Sequence, residues 1–174
     1  MTPPTPEWKS GLLGDEFPET VIDLGPDPDG EGDVVATVIK YAPPGADGPD
    51  FTRRPAVLWI HRMSDYFFQE HVARVIHDAG YAFYAVDLRK CGRSRREGQR
   101  WHHVADLSLY DVDLDATAAL ILGMGHPALS PLAHSTGGLV AALWLDGLRE
   151  RHPDVHAKIP GAVLNSPWLD LQYP

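Results

Sequence analysis

Ala133-His134-Ser135-Thr136-Gly137-Gly138 sets a serine among small residues, with the apolar run 128–133 before it and Leu139-Val140-Ala141-Ala142-Leu143-Trp144-Leu145 after it. A strand that turns this sharply into a helix brings the residues two before and two after the turn into near contact. Both must therefore be small, and here they are Ala133 and Gly137. Such a turn holds Ser135 at the carboxyl edge of a sheet. It also aims the helix N-terminus at the serine, where the free N–H of Thr136 can stabilise an oxyanion. Serine also caps helices well, and that plainer role competes with the nucleophilic one. Small residues on both sides, with a strand before and a helix after, favour Ser135 as a nucleophile, with Ala133, His134, Gly137 and Gly138 shaping its turn. The helix beyond is apolar nearly all round, which suits a helix buried at the middle of a sheet.

Outward from this turn, the chain from Pro55 onward alternates apolar strands with amphipathic helices, the pattern of parallel βαβ units covered on both faces. Strands are expected at 56–60, 81–86, 128–133 and 159–164. Phe68, Val72, Val75, Ile76 and Ala79 recur at helical spacing up to Gly80, and Leu107, Tyr110, Leu114, Ala118 and Ile121 mark a second helix. Before Pro55 the texture is different. The segments 20–24 and 34–41 read as an antiparallel hairpin around Gly25-Pro26-Asp27-Pro28-Asp29-Gly30, and Pro43-Pro44-Gly45 ends it. Pro3, Pro4 and Pro6 suggest a flexible N-terminal arm over 1–16, leaving 17–174 as one α/β domain, the size a single core accommodates.

The formal net charge of −9 over 174 residues disfavours nucleic acid as a partner, because phosphate binding rests on a broad basic face. The amino terminus has neither a basic nor an apolar leader-like region, and no apolar run approaches the ~18–20 residues that span a bilayer, so a cytoplasmic protein is expected. Cys91 is the single cysteine. Its basic neighbours suggest at most a somewhat reactive thiol with no catalytic part. Asp111, Asp113 and Asp115 imitate the opening of a calcium loop, but Ala116 and Leu122 stand where glycine and the bidentate glutamate belong. They read instead as the wet face of a helix. Six basic residues between Arg89 and Arg100 read as a solvated loop, with contact to anionic headgroups as the alternative. No metal site and no cofactor fingerprint is found: His102 and His103 are adjacent rather than helically spaced, and no phosphate loop is present.

A second oxyanion donor is expected from the loop after residue 60, His61-Arg62-Met63-Ser64-Asp65-Tyr66, with Met63 placed to offer its N–H. With this loop, the block Asp87-Leu88-Arg89-Lys90-Cys91-Gly92-Arg93-Ser94 and the serine turn, the chain resembles the α/β-hydrolase superfamily. Within it, the resemblance is to the lysophospholipase and monoacylglycerol-lipase-like group, also described as serine aminopeptidase S33-like, over roughly residues 18–174. The resemblance implies an α/β-hydrolase fold and a small-molecule acyl ester substrate. It further implies a Ser-His-Asp triad with Ser135 as nucleophile, and the Met63 and Thr136 amides as the oxyanion hole. Three departures stand out. Arg62 occupies a usual glycine position, Ala133 replaces another glycine, and the chain stops at Pro174, where the family continues into further strands, a lid, the acid and the histidine. An N-terminal portion of such a hydrolase is therefore expected, its last strand exposed for self-association. The alternative is a non-catalytic protein that binds an acyl ligand or a partner chain. His61 is expected to be structural, His71 and His77 to lie on the first helix, and Asp170 to follow the last strand with no histidine to orient.

Overall fold

The computed structural model describes residues 6–46 and 48–169. Seven strands, Lys9–Gly11 (β1), Gly14–Pro26 (β2), Asp33–Lys40 (β3), Ala56–Ile60 (β4), Ala82–Asp87 (β5), Leu129–His134 (β6) and Val163–Asn165 (β7), form one sheet in the order β1-β2-β3-β5-β4-β6-β7. β1, β2 and β3 pair antiparallel, and so do β3 and β5, whereas β5, β4, β6 and β7 run parallel. The expected hairpin is present, and it is longer than its β-branched core: Thr20 pairs with Val38 and Asp23 with Val35, but β2 begins at Gly14. Much of the segment read as a flexible arm is thus in the sheet. Phe17 is buried against Tyr41 and Phe67, and this anchor draws residues 14–19 into the pairing despite their polarity. Residues 1–5 of that segment lie outside the described residues.

Both faces of the parallel strands are covered, so odd and even positions feed two separate cores. Ala56, Leu58 and Ile60 of β4 join Tyr84 and Val86 of β5 beneath the helices Leu109–Gly123 (α3) and Thr136–Arg151 (α4). Trp59 joins Phe83 and Ala85 on the other face, beneath the helix Glu70–Asp78 (α2). Only Ala73 of α2 is buried, while Phe68 lies ahead of the helix and is exposed, as is Val75. The helix after the serine turn is half-buried rather than enclosed: Val140, Ala141, Trp144 and Leu148 face the core, and Leu143 faces out. The last strand is shorter than the apolar run 159–164 suggested. Pro160 and Gly161 precede it, and only three residues pair with β6. Two short helices, Pro49–Arg53 (α1) and Pro153–His156 (α5), and a 3₁₀ turn at Gly92–Ser94 complete the described elements. No described helix is long and apolar enough to cross a membrane.

The three aspartates read as a wet helix face divide. Asp111 and Asp115 reach Arg151 of α4, and Asp115 also accepts from Trp144 Nε1 at 2.8 Å. Asp113 is fully buried and accepts from Arg89 through its backbone N–H at 2.7 Å, Nε at 2.8 Å and a second guanidinium nitrogen at 2.7 Å. The basic loop is likewise mostly internal rather than solvated. Lys90 is buried with its Nζ 2.5 Å from Asp27 and 3.0 Å from Glu31, Arg93 bridges Asp87 and Glu19, and Arg100 pairs with Glu31. Contact with headgroups is therefore not what these charges are arranged for. Cys91 is enclosed among apolar side chains, and burial pushes its thiol far above the usual range, so the reactive thiol is also corrected.

Candidate active site

From β4 the chain crosses to β5 on one side, and from β5 it returns to β6 on the other, so the loops leaving the carboxyl ends of β4 and β6 diverge. Crevices in open α/β sheets form at such a switch point. Ser135 follows β6 directly, and residues 61–63 follow β4 directly, in adjacent strands held in register by Ile60 opposite Ala133.

Ser135 has φ 54° and ψ −121°, a conformation that side chains other than glycine rarely adopt. The surroundings enforce it. Its N–H donates to Asn165 O at 3.1 Å, and its carbonyl accepts from Gly138 N–H at 2.9 Å and from Trp168 N–H at 3.0 Å. The small residues are required by close approach. A Cβ on Gly137 would lie 2.5 Å from His61 O and 2.7 Å from Ile60 O, and one on Gly138 would lie 2.6 Å from the Pro167 ring. Ala133 is fully buried between Ile60 and Leu164, where a methyl group fits. The strained conformation of this serine is held by contacts from three segments. Moreover, Ser135 makes no side-chain capping hydrogen bond.

The loop after β4 is fixed from several sides. His61 is buried, its Nδ1–H donating to Arg62 O at 2.7 Å and its Nε2 accepting from Leu88 N–H at 3.2 Å, so both ring nitrogens are committed to backbone. The structural reading of His61 follows directly. Arg62, standing at the usual glycine position, turns its side chain to Asp65 at 3.0 Å, and Asp65 is nearly buried. Met63 N–H comes to Thr136 Oγ1 at 2.5 Å. The structure thus brings Met63 and Thr136 together at the serine, and the amide of Met63 is occupied by a side chain that sequence reasoning did not single out. Asp87 also escaped it. That buried carboxylate accepts from Phe67 N–H at 2.8 Å, Arg93 N–H at 3.0 Å and the Arg93 guanidinium at 2.9 Å, tying the loop after β4 to the loop after β5.

His134 points away from the turn. Its ring lies stacked near Trp59 on the other face, with Nδ1 3.2 Å from Asn165 O. Together with Arg62, Asp65, His71 and Asn165 it lines an open trough of 260 Å³. Among the described residues no histidine or carboxylate hydrogen-bonds the Ser135 hydroxyl. His102, after β5, has its pKa lowered by burial first and then by the neighbouring His61, and its Nδ1 is enclosed without a partner among the described residues. His77 lies against Tyr41 and Arg54, and burial lowers its pKa. His126 bridges Tyr84 Oη at 2.7 Å and Arg54 O at 2.8 Å under the sheet. Asp170 lies outside the described residues. A cavity of 760 Å³ opens between β2 and α3, and no residue of the serine turn lines it. No group of three or more metal-ligating side chains occurs among the described residues.

Strand order, the strained serine and the backbone loop beside it define an α/β-hydrolase fold. The chain belongs to the serine aminopeptidase S33 family of hydrolases, which matches residues 52–174. Solved structures share the fold. An esterase of Pyrococcus furiosus aligns at 20% identity and TM-score 0.60, over 96% of this chain and 57% of its own. Acetyl xylan esterase 1 of Thermoanaerobacterium sp. JW/SL YS485 aligns at 15% and 0.60, over 94% and 53%. An Agrobacterium vitis S4 protein described as a putative hydrolase aligns at 17% and 0.61, over 88% and 53%. The chain spans a little over half the length of these structures. No protein of curated function matches the sequence.

Proposed function

We propose that the chain carries the nucleophile and oxyanion hole of a carboxylic ester hydrolase of lysophospholipase or monoacylglycerol-lipase type, working in the cytoplasm on a small acyl ester. The observation that carries this reading is the enforced backbone of Ser135 beside the Met63 amide. Ser135 Oγ attacks the ester carbonyl carbon and gives up its proton to a base, and the oxyanion is held by the N–H groups of Met63 and Thr136. Collapse expels the alcohol, which takes up a proton, and leaves the acyl group esterified to Ser135. Water then attacks that ester, releasing the carboxylic acid and restoring the hydroxyl.

The base and its orienting acid form no contact with Ser135 among the described residues, and this favours a second reading, a non-catalytic α/β-hydrolase domain that binds an acyl ligand or a partner chain. A fluorophosphonate probe separates the two. Labelling confined to Ser135, absent from Ser135→Ala, with turnover of a nitrophenyl ester lost in the same variant, is the expected result. A chain that stays unlabelled while binding a fatty acyl ligand would establish the second reading instead. Self-association belongs to the same proposal, since among the described residues β7 is paired on one side only and exposes Val163. Sedimentation should show a dimer or larger species that Val163→Lys reduces, and a sharply monomeric wild-type chain would contradict it.

A further inference from the structure

The usual glycine at position 62 lets a loop bring its next amide up to a nucleophile, and here that position holds arginine. The structure shows what replaces that freedom. The Arg62 side chain is drawn to Asp65, and Met63 N–H meets the hydroxyl of the first residue of α4. The two segments are pressed together independently of that bond, because Gly137 leaves no room for a methyl group against His61 O. Met63 itself is an exposed residue, and the Thr136 hydroxyl is the partner of its amide among the described residues.

We propose that the Thr136 side chain is a positioning residue for the oxyanion hole: its Oγ1 fixes the Met63 peptide with its N–H aimed across the Ser135 turn. Thr136 would then serve twice. Its backbone N–H is one oxyanion donor and its hydroxyl orients the other. The hydroxyl accepts from Met63, so its own proton remains available to an incoming carbonyl oxygen when that oxygen takes over the amide. This assignment rests on Ser135 being the nucleophile, but its test does not need catalysis.

The experiment is residue-resolved amide hydrogen exchange on the whole chain, comparing wild type with Thr136→Val and Thr136→Ser. One hydrogen bond predicts Met63 N–H exchange slowed about tenfold against an unprotected amide. That protection should be lost in Thr136→Val, which keeps the shape without the hydroxyl, and restored in Thr136→Ser. The Leu88 amide, held by His61, should be unchanged in all three. Unprotected Met63 in the wild type would overturn the proposal even if Thr136→Val failed to fold, and so would protection that survives in Thr136→Val. If Met63 behaves as expected but fluorophosphonate does not label Ser135, the Thr136–Met63 contact stands while the hydrolase reading falls, and the oxyanion role of that contact falls with it.

Discussion

Ser135 is where local preference and tertiary demand conflict most. A non-glycine residue held in so sparsely populated a region costs of order 1–3 kcal/mol, and here three backbone hydrogen bonds and the packing around Gly137 and Gly138 hold it there. Ser135→Gly should relieve that strain. Allowing for the entropy of a glycine, urea unfolding should show a gain of about 1 kcal/mol, whereas Ser135→Ala should stay within about 0.5 kcal/mol of wild type. The opposite is expected at Gly137. Gly137→Ala drives a methyl group into the backbone of residues 60 and 61, so a loss above about 2 kcal/mol should accompany loss of probe labelling. A tolerated alanine there would mean that the two segments are not in contact. The need for small residues at 133 and 137 was legible in the sequence, because it follows from the turn itself. The Thr136 hydroxyl was not, since its partner amide lies 73 residues away and carries no side-chain signal.

At the scale of the element, α3 shows why charge alone misleads. Asp111, Asp113 and Asp115 alternate along the chain, and steps of two turn a helix by about 200°. Asp113 therefore faces opposite to its neighbours, into the core, where Arg89 meets it. Nothing local predicts that an arginine 24 residues earlier will be buried beside it, so the aspartates looked alike. Removing one partner leaves a buried charge uncompensated. Asp113→Ala should cost about 3–5 kcal/mol by urea unfolding, whereas the double change Arg89→Met with Asp113→Leu should cost far less. Equal losses for single and double variants would show that the pair does more than neutralise itself. The helices and parallel strands were placed by their periodicities, while β2 was underestimated at its polar start, where pairing with β1 and the burial of Phe17 decide the matter.

Across the whole molecule, ion pairs tie the β2–β3 turn to the loop after β5. Glu31 is held down to about 2, by Arg100 first and then by Lys90. Burial alone would raise the Asp27 carboxyl, but Lys90 and backbone donors outweigh it and lower it. Both carboxylates are favoured in the folded chain, so their contribution is complete above the ordinary values of 3.8 for Asp27 and 4.5 for Glu31. It is lost as pH falls through the lowered, folded-state ones. Carboxyl NMR should find Glu31 titrating near 2 in the wild type and moving upward in Arg100→Ala; an ordinary midpoint would contradict the pairing. His126 acts at higher pH. Burial lowers its pKa below 6.5, so the unfolded chain takes up a proton that the folded one refuses, and stability contributed there declines as pH drops below about 6.5. Imidazole resonances that show His126 charged at pH 6.5 would refute this.

By itself the sequence determined the α/β class, the hairpin at its start, the serine turn and the family. These depend on residue size, periodicity and turn chemistry, which act between near neighbours in the chain. Only the tertiary structure decided the sheet order that makes the crevice, the burial of Arg89, Lys90 and Asp113, the commitment of His61 to backbone and the contact between Met63 and Thr136. Each of these joins residues far apart in sequence, and their pairing is fixed by how the strands pack rather than by anything either residue's neighbours prefer.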